Sequence, residues 1–142
     1  MEIVNNLLFW LHFAGLALGG VATFGLPVVG RQMPMATAET RPVLFTVARG
    51  LTSLGRAGFG VLLVTGLLLF WLKWNGNAPS MAWFGAKMAL VLLLLILLIV
   101  AGLTSRRAEA GDRAAGRRMP MLSAIGVVLL LGVLLCAVFA FN

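Results

Sequence analysis

The apolar stretch MALVLLLLILLIVAG, residues 88–102, is the clearest indication of the fold class of this chain. With the residues just before it, it reaches the roughly 20 residues that a helix needs to cross about 30 Å of hydrocarbon. Similar runs occur elsewhere, and the predicted spans are about 4–30, 54–74, 81–104 and 119–141. The sequence therefore predicts an all-α integral membrane four-helix bundle, with residues 1–142 forming a single transmembrane domain.

The composition agrees with a membrane location. Hydrophobic residues make up 61 % of the chain and charged residues 11 %, against roughly 45–50 % and 25 % in soluble domains. The single cysteine, Cys136, lies in the last apolar run, which argues against a disulfide framework or a cysteine-based metal site. The N-terminal MEIVNNLLFWLHF lacks the basic region of a signal peptide, so we expect the first helix to be retained.

Basic residues indicate the orientation of the four spans. Nine of eleven fall in or beside the first and third loops: Arg31, Arg41, Arg49, Arg56, Arg106, Arg107, Arg113, Arg117 and Arg118. By the positive-inside rule these loops are cytoplasmic and both termini lie on the non-cytoplasmic side, in a bacterial inner membrane. Tryptophans mark the opposite ends of the spans, at Trp10, Trp71, Trp74 and Trp83. The net charge of +7 then indicates attraction to anionic lipid rather than to nucleic acid.

A nearly repeated hexapeptide occurs at two of the predicted cytoplasmic boundaries. GRQMPM covers residues 30–35 and GRRMPM covers residues 116–121. One interpretation is that both mark helix ends, with arginine at the phosphates and proline setting or ending the helix. The alternative is a metal site, because thioethers are soft ligands that prefer Cu(I). Its ligands would be Met33, Met35, Met119 and Met121, and it requires spans one and four to be neighbours.

Two ionisable side chains lie inside predicted spans. His12 is at an estimated depth of about 12 Å from the outer end of span one, at 1.5 Å per residue. It can be a packing residue, a haem or metal ligand, or a proton-handling group. Lys87 lies four residues after Trp83 in span three and either snorkels outward or faces the bundle. Both can lie at similar depth, so we expect them to share a polar pocket.

Other polar and small residues bear on the function and on the helix packing. The carboxylates of Glu2, Glu39, Glu109 and Asp112 all fall outside the predicted spans, which argues against a proton-coupled pump. Thr65 lies mid-span, where we expect its hydroxyl to bond a helix carbonyl. Glycines at close-packing spacing occur in span one at 15 and 19, and in span two at 55, 58 and 60.

Spans two and three, GRAGFGVLLVTGLLLFWLKW and MAWFGAKMALVLLLLILLIVAGLTSRR, resemble the copper-resistance D family (CopD). The likeness lies in an arginine-led helix with a central Thr-Gly, followed by an aromatic-x-x-Lys entry into a leucine-rich helix. Span one, LHFAGLALGGVATFGLPVVGR, resembles the histidine-bearing first helix of the related HemJ-type protoporphyrinogen oxidases. The positions that carry the resemblance are His12, Arg56, Thr65, Gly66, Lys87 and Arg106.

The resemblance implies a helical bundle that handles copper, or that binds haem and exchanges electrons with a quinone-like or tetrapyrrole partner. It implies His12 as axial haem ligand, with Lys87 and Arg56 as further cofactor-binding residues. Because the chain has one histidine, haem would need a homodimer that shares His12, Met88 as second ligand, or five-coordination. The chain has no tyrosine and fewer polar residues in span three than a HemJ-type enzyme.

Three hypotheses about function follow. The first is a small CopD/HemJ-like membrane protein that binds copper or haem b near His12 and Lys87, in a redox or metal-handling role. The second is a non-catalytic accessory subunit of a larger membrane complex, whose Gly15/Gly19 face is exposed in the isolated protomer. The third is a protoporphyrinogen oxidase, which needs a cavity large enough for a tetrapyrrole.

Overall fold

The computed structural model describes residues 2–141, which form four long helices joined by short connections. The helices are α1 (Glu2–Gln32), α2 (Arg41–Leu72), α3 (Met81–Glu109) and α4 (Arg113–Phe141), and a 3-10 turn, Met33–Met35, follows α1. Each long helix has the length and hydropathy to cross a membrane. The prediction of an all-α chain with four membrane-spanning helices is therefore confirmed at this level.

Two helices begin well before the spans predicted from hydropathy. Helix α2 begins at Arg41 rather than near residue 54, with Pro42 in the first turn, where its missing N–H would have had no helical partner. Helix α4 begins at Arg113 rather than at residue 119, because Asp112 Oδ1 accepts hydrogen bonds from the amides of Ala114 and Ala115. The basic segment before the fourth span is therefore mostly helix.

The helices form two hairpins. Helix α1 packs along α2 in the first hairpin (residues 2–72), and α3 packs along α4 in the second hairpin (residues 81–141). The hairpins meet mainly where α1 contacts α4, whereas the backbones of α2 and α3 approach each other at few positions. The adjacency of spans one and four that the methionine site requires is thus present in the fold.

Glycines set the separation of the helices in the first hairpin. A Cβ placed on Gly58 would lie 2.6 Å from the Gly19 nitrogen and 2.7 Å from the Gly15 oxygen. A Cβ on Gly55 would lie 2.8 Å from the Ala22 Cβ. Because backbone atoms cannot yield at such distances, α1 and α2 are in direct backbone contact. Gly15 is consequently buried within the protomer. The prediction that an accessory subunit would expose its Gly15/Gly19 face is therefore wrong for this structure.

Aromatic rings join the two hairpins at one end of the bundle. Phe70 stacks on Phe84 with ring centroids 4.2 Å apart, and Trp74 lies 5.3 Å from Phe141. Phe84 and Phe141 add an edge-on contact at 6.1 Å. We call these four residues the aromatic clamp and this end of the bundle the aromatic end. The opposite end, where most arginines lie, is the basic end.

Candidate functional site

Two cavities of about 100 Å³ each lie between the hairpins. The aromatic-end cavity contains His12, Lys87 and Met88 in its wall, and the basic-end cavity contains Ser105, Met119 and Ser123. A layer of four apolar side chains lines both and separates them: Phe59, Leu62, Leu94 and Leu130. The fold therefore brings together three of the four predicted cofactor-binding residues, with Arg56 outside this group.

A hydrogen bond from α1 to α2 fixes the imidazole of His12. The His12 Nδ1 atom lies 2.8 Å from the Thr65 hydroxyl, and that hydroxyl donates to the Val61 carbonyl oxygen at 2.6 Å. Since the hydroxyl has a single proton and donates it to the Val61 carbonyl oxygen, it accepts from His12, and this assigns the His12 proton to Nδ1. Thr65 was expected to bond a helix carbonyl, and this is confirmed; its bond to His12 is an addition.

The other ring nitrogen of His12 is left as a free acceptor. Nδ1 is the ring nitrogen that has a hydrogen-bond partner within residues 2–141. Every fully buried side-chain nitrogen or oxygen in that range has a partner, so the unpartnered Nε2 must be accessible to a water-sized molecule. The neutral imidazole thus offers a lone pair at Nε2, which is the form in which histidine binds a metal.

Gly66 leaves room for this imidazole. A Cβ at residue 66 would lie 3.2 Å from His12 Cε1, which is closer than most side chains tolerate. Both residues of the Thr65-Gly66 pair therefore act on His12 in this fold. Thr65 orients the imidazole ring, and Gly66 makes space for it.

The side chain of Lys87 was predicted either to snorkel outward or to face the bundle, and it does part of each. Its side chain lines the aromatic-end cavity, and its ammonium lies over the Phe141 ring, 5.0 Å from the centroid. The stem thus faces the bundle while the charge lies at the aromatic end, where the ring stabilises it.

Met88 lines the same cavity as His12. A thioether and an imidazole nitrogen form a soft donor pair, and such a pair suits Cu(I). The other residues in the cavity wall are Lys87, glycine and apolar residues, so the side-chain donors there are nitrogen and thioether sulfur.

Arg56 lies elsewhere, between α2 and α3. A Cβ at Gly102 would lie 2.6 Å from its guanidinium nitrogen, so this glycine accommodates the arginine head. Gly102 lines the basic-end cavity, one layer of side chains away from His12. The structure therefore separates Arg56 from the other predicted cofactor residues.

The four methionines of the two hexapeptides are in unlike surroundings. Met35 and Met121 are 82 % and 58 % exposed, Met33 is half-buried, and Met119 lines the basic-end cavity. The two hexapeptides also differ in structure, because the first ends α1 and continues as the 3-10 turn, whereas the second lies wholly within α4. The interpretation of the second copy as a helix end is wrong.

The cavity at His12 is smaller than the pockets that usually hold cofactors. Pockets that hold drug-sized ligands and cofactors are about 300–1,000 Å³, whereas the cavity at His12 is about 100 Å³. Its wall is mainly leucine, valine and phenylalanine, with His12 and Lys87 as its polar groups. A tetrapyrrole would require the hairpins to separate, but a single metal ion requires no such change.

No protein-family model matches the chain, and comparisons with curated proteins and with solved structures also give no match.

Proposed function

We propose that this chain is a membrane-embedded copper-binding protein that holds Cu(I) in the aromatic-end cavity. His12 Nε2 and the Met88 thioether would be the ligands. The observation that carries the proposal is the chain of hydrogen bonds from His12 to Thr65 to Val61, since in the neutral imidazole it leaves the lone pair on Nε2. The likeness to the copper-resistance D family indicates the same metal.

Support also comes from the way the histidine is held. Histidine ligands in metal sites almost always donate their second N–H to a fixed acceptor, which sets the ring orientation and strengthens the ligand. Thr65 provides that acceptor on a neighbouring helix, and its own proton is committed to Val61 at 2.6 Å. A packing histidine requires no such free nitrogen beside a cavity.

The sidedness of the site is part of the proposal. We infer that the basic end faces the cytoplasm and that both termini lie on the other side, because arginine is concentrated at one end and tryptophan at the other. His12 would then bind copper in the half of the bilayer remote from the cytoplasm.

Titration of the detergent-purified protein with Cu(I), in competition with a chromogenic chelator under anaerobic reducing conditions, tests the proposal. We expect one copper per chain, loss of binding in His12→Ala and weaker binding in Met88→Leu, which keeps the side-chain volume. Met121→Leu is the matched control, since Met121 is exposed and lies outside the lining of the aromatic-end cavity. Full copper binding by His12→Ala, or none by the wild type, would overturn the proposal.

Lys87 separates this proposal from binding of an anionic cofactor. The Lys87 ammonium lies at the aromatic end of the cavity and opposes a cation, so Lys87→Met, which removes this charge and adds a thioether, should tighten Cu(I) binding. If Lys87 were the pocket cation of a haem or another anionic ligand, the same substitution would weaken binding of that ligand. A Soret band in the purified protein, lost with Lys87→Met, would favour haem and a separation of the hairpins.

A further inference from the structure

Arg56 is a charged side chain that lies apart from the copper site. It carries no ion pair or hydrogen bond within the described part of the chain, residues 2–141, where Arg49 is the arginine that pairs with an acid. Its guanidinium rests against α3 at Gly102, which is buried beneath it. Arg56 is an exposed residue, so its guanidinium is available to an anion from outside the chain.

The position of the guanidinium matches the edge of the hydrocarbon. Arg56 is fifteen residues before Trp71 along α2, or about 22 Å at 1.5 Å per residue. Gly102, where the guanidinium lies, is nineteen residues after Trp83 along α3, or about 28 Å by the same rise. If the tryptophans mark one boundary of a hydrocarbon core about 30 Å thick, the Cα of Arg56 lies inside this core and its guanidinium lies at the other boundary.

Polar residues line the contact between α2 and α3 at the basic end, and we call this contact the seam. Arg49 lies 3.8 Å from the Glu109 carboxylate, and two helical turns further in, Arg56 lies against Gly102. Ser105 is on α3 between these two levels and lines the basic-end cavity. Going inward, the seam therefore presents an ion pair, a hydroxyl group and an unpaired guanidinium.

The hydroxyl groups in the cavity differ in their bonding. Thr23 and Thr52 each donate to a carbonyl four residues earlier in their own helix. Ser105 and Ser123 line the same cavity, but neither hydroxyl has a hydrogen-bond partner among the described residues. Two hydroxyl groups at the edge of the hydrocarbon are therefore free to bind oxygen atoms of a ligand.

We propose that the seam between α2 and α3 binds the phosphate of one anionic phospholipid, with Arg56 and Ser105 as its ligands. A guanidinium and a hydroxyl group are standard donors to phosphate, and the headgroup region is at this depth. The surrounding arginines favour an anionic lipid over a choline lipid, whose quaternary ammonium they repel. Because α2 and α3 otherwise meet at few positions, this lipid would join the two hairpins at the basic end.

Native mass spectrometry of the full chain, extracted in a mild detergent, tests this proposal. We expect the wild type to retain one phosphatidylglycerol molecule, and Arg56→Gln to lose it. Ser105→Ala removes one hydroxyl with little risk to folding and should weaken retention by about tenfold. Arg31→Gln is the matched control, because Arg31 is likewise an exposed arginine at the same end but lies on α1, outside the seam between α2 and α3.

Lipid addition to the delipidated protein identifies the ligand. We expect phosphatidylglycerol to raise the thermal unfolding midpoint of the wild type, and phosphatidylcholine to raise it less. Equal shifts with both lipids, or equal retention by wild type and both variants, would overturn the proposal. The same shift with inorganic phosphate alone would assign the site to a free anion and also overturn it. Cu(I) binding is measured separately, so this proposal and the copper proposal fail independently.

Discussion

At the scale of single residues, Thr65 has two bonds that depend on each other. Its hydroxyl donates to the Val61 carbonyl oxygen on its own helix and accepts a hydrogen bond from His12 Nδ1–H on α1. A threonine that bonds only its own helix would be a packing residue. The added bond to His12 makes Thr65 the residue that sets which imidazole nitrogen is free.

We expect Thr65→Val to weaken Cu(I) binding by about 10- to 100-fold, which is the usual cost of losing the outer partner of a histidine ligand. Valine matches threonine in shape, so the helix packing is retained while the acceptor is lost. Thr65→Ser keeps a hydroxyl and should bind copper almost as the wild type does. Competition with the chelator measures both variants, and wild-type affinity in Thr65→Val would show that the ring is oriented by other contacts.

The residues of the candidate site were only partly predictable from the sequence. Counting residues into spans one and three allowed His12 and Lys87 to lie at similar depth, and both line one cavity. The bond between His12 and Thr65 was missed because depth alone gives no rotation of each helix about its axis. That rotation depends on the contact between Gly58 and Gly15, which is a packing detail that hydropathy does not report.

At the scale of the helices, the first hairpin depends on small residues in register. Gly58 faces the backbone at Gly15 and Gly19, and Gly55 faces Ala22. In lipid, where helix association has no hydrophobic driving force, such close contact supplies dispersion energy that larger side chains would prevent. These glycines are therefore packing residues within the protomer.

We expect Gly58→Ala to destabilise the protein by about 1–3 kcal/mol, the usual cost of overpacking. The added methyl would meet backbone atoms at 2.6–2.7 Å, so α1 and α2 must move apart. Gly60→Ala is the matched control on the same helix, since a Cβ there meets nothing within 4 Å. Thermal unfolding in detergent compares them, and equal stability of the two variants would contradict the backbone contact.

The repeated hexapeptide shows why the helix ends were harder to predict than the helices. The first copy is followed by the polar ATAET, and the chain leaves the helix at Met33; the second is followed by the apolar LSAIGVV, and α4 continues through Pro120. A segment that enters the bilayer must satisfy its backbone within a helix, so burial outweighs the preference of proline to end one. The hexapeptide itself does not determine its structure.

At the scale of the whole molecule, two independent features define the ends of the bundle. The aromatic clamp and the tryptophans lie at one end, whereas nine of eleven basic residues lie towards the other. The four membrane helices and their antiparallel order could be predicted from the sequence because every apolar run is long. The pairing of the helices into two hairpins, with few contacts between α2 and α3, could not be predicted. Hydropathy is similar in all four apolar runs, so it does not show which helices pack together.

Reporter fusions test the proposed orientation. We expect alkaline phosphatase fused after residue 142, or inserted at 76–78, to be active in a bacterial host, because this enzyme folds only outside the cytoplasm. Green fluorescent protein inserted at residues 110–112 should be fluorescent, since it folds inside. The reverse pattern would place the arginines outside and contradict the positive-inside assignment.

The division into two hairpins has a consequence for how the chain is made. Most contacts of each helix lie within its own hairpin. Helices α1 and α2 can therefore pack together before α3 and α4 have been synthesised. The link between the halves is the short segment 73–80, which has positive φ angles at Asn75 and Gly76. A gene cut within this segment and expressed as two pieces should therefore still give a complete protein, assembled in the bilayer from separately inserted halves.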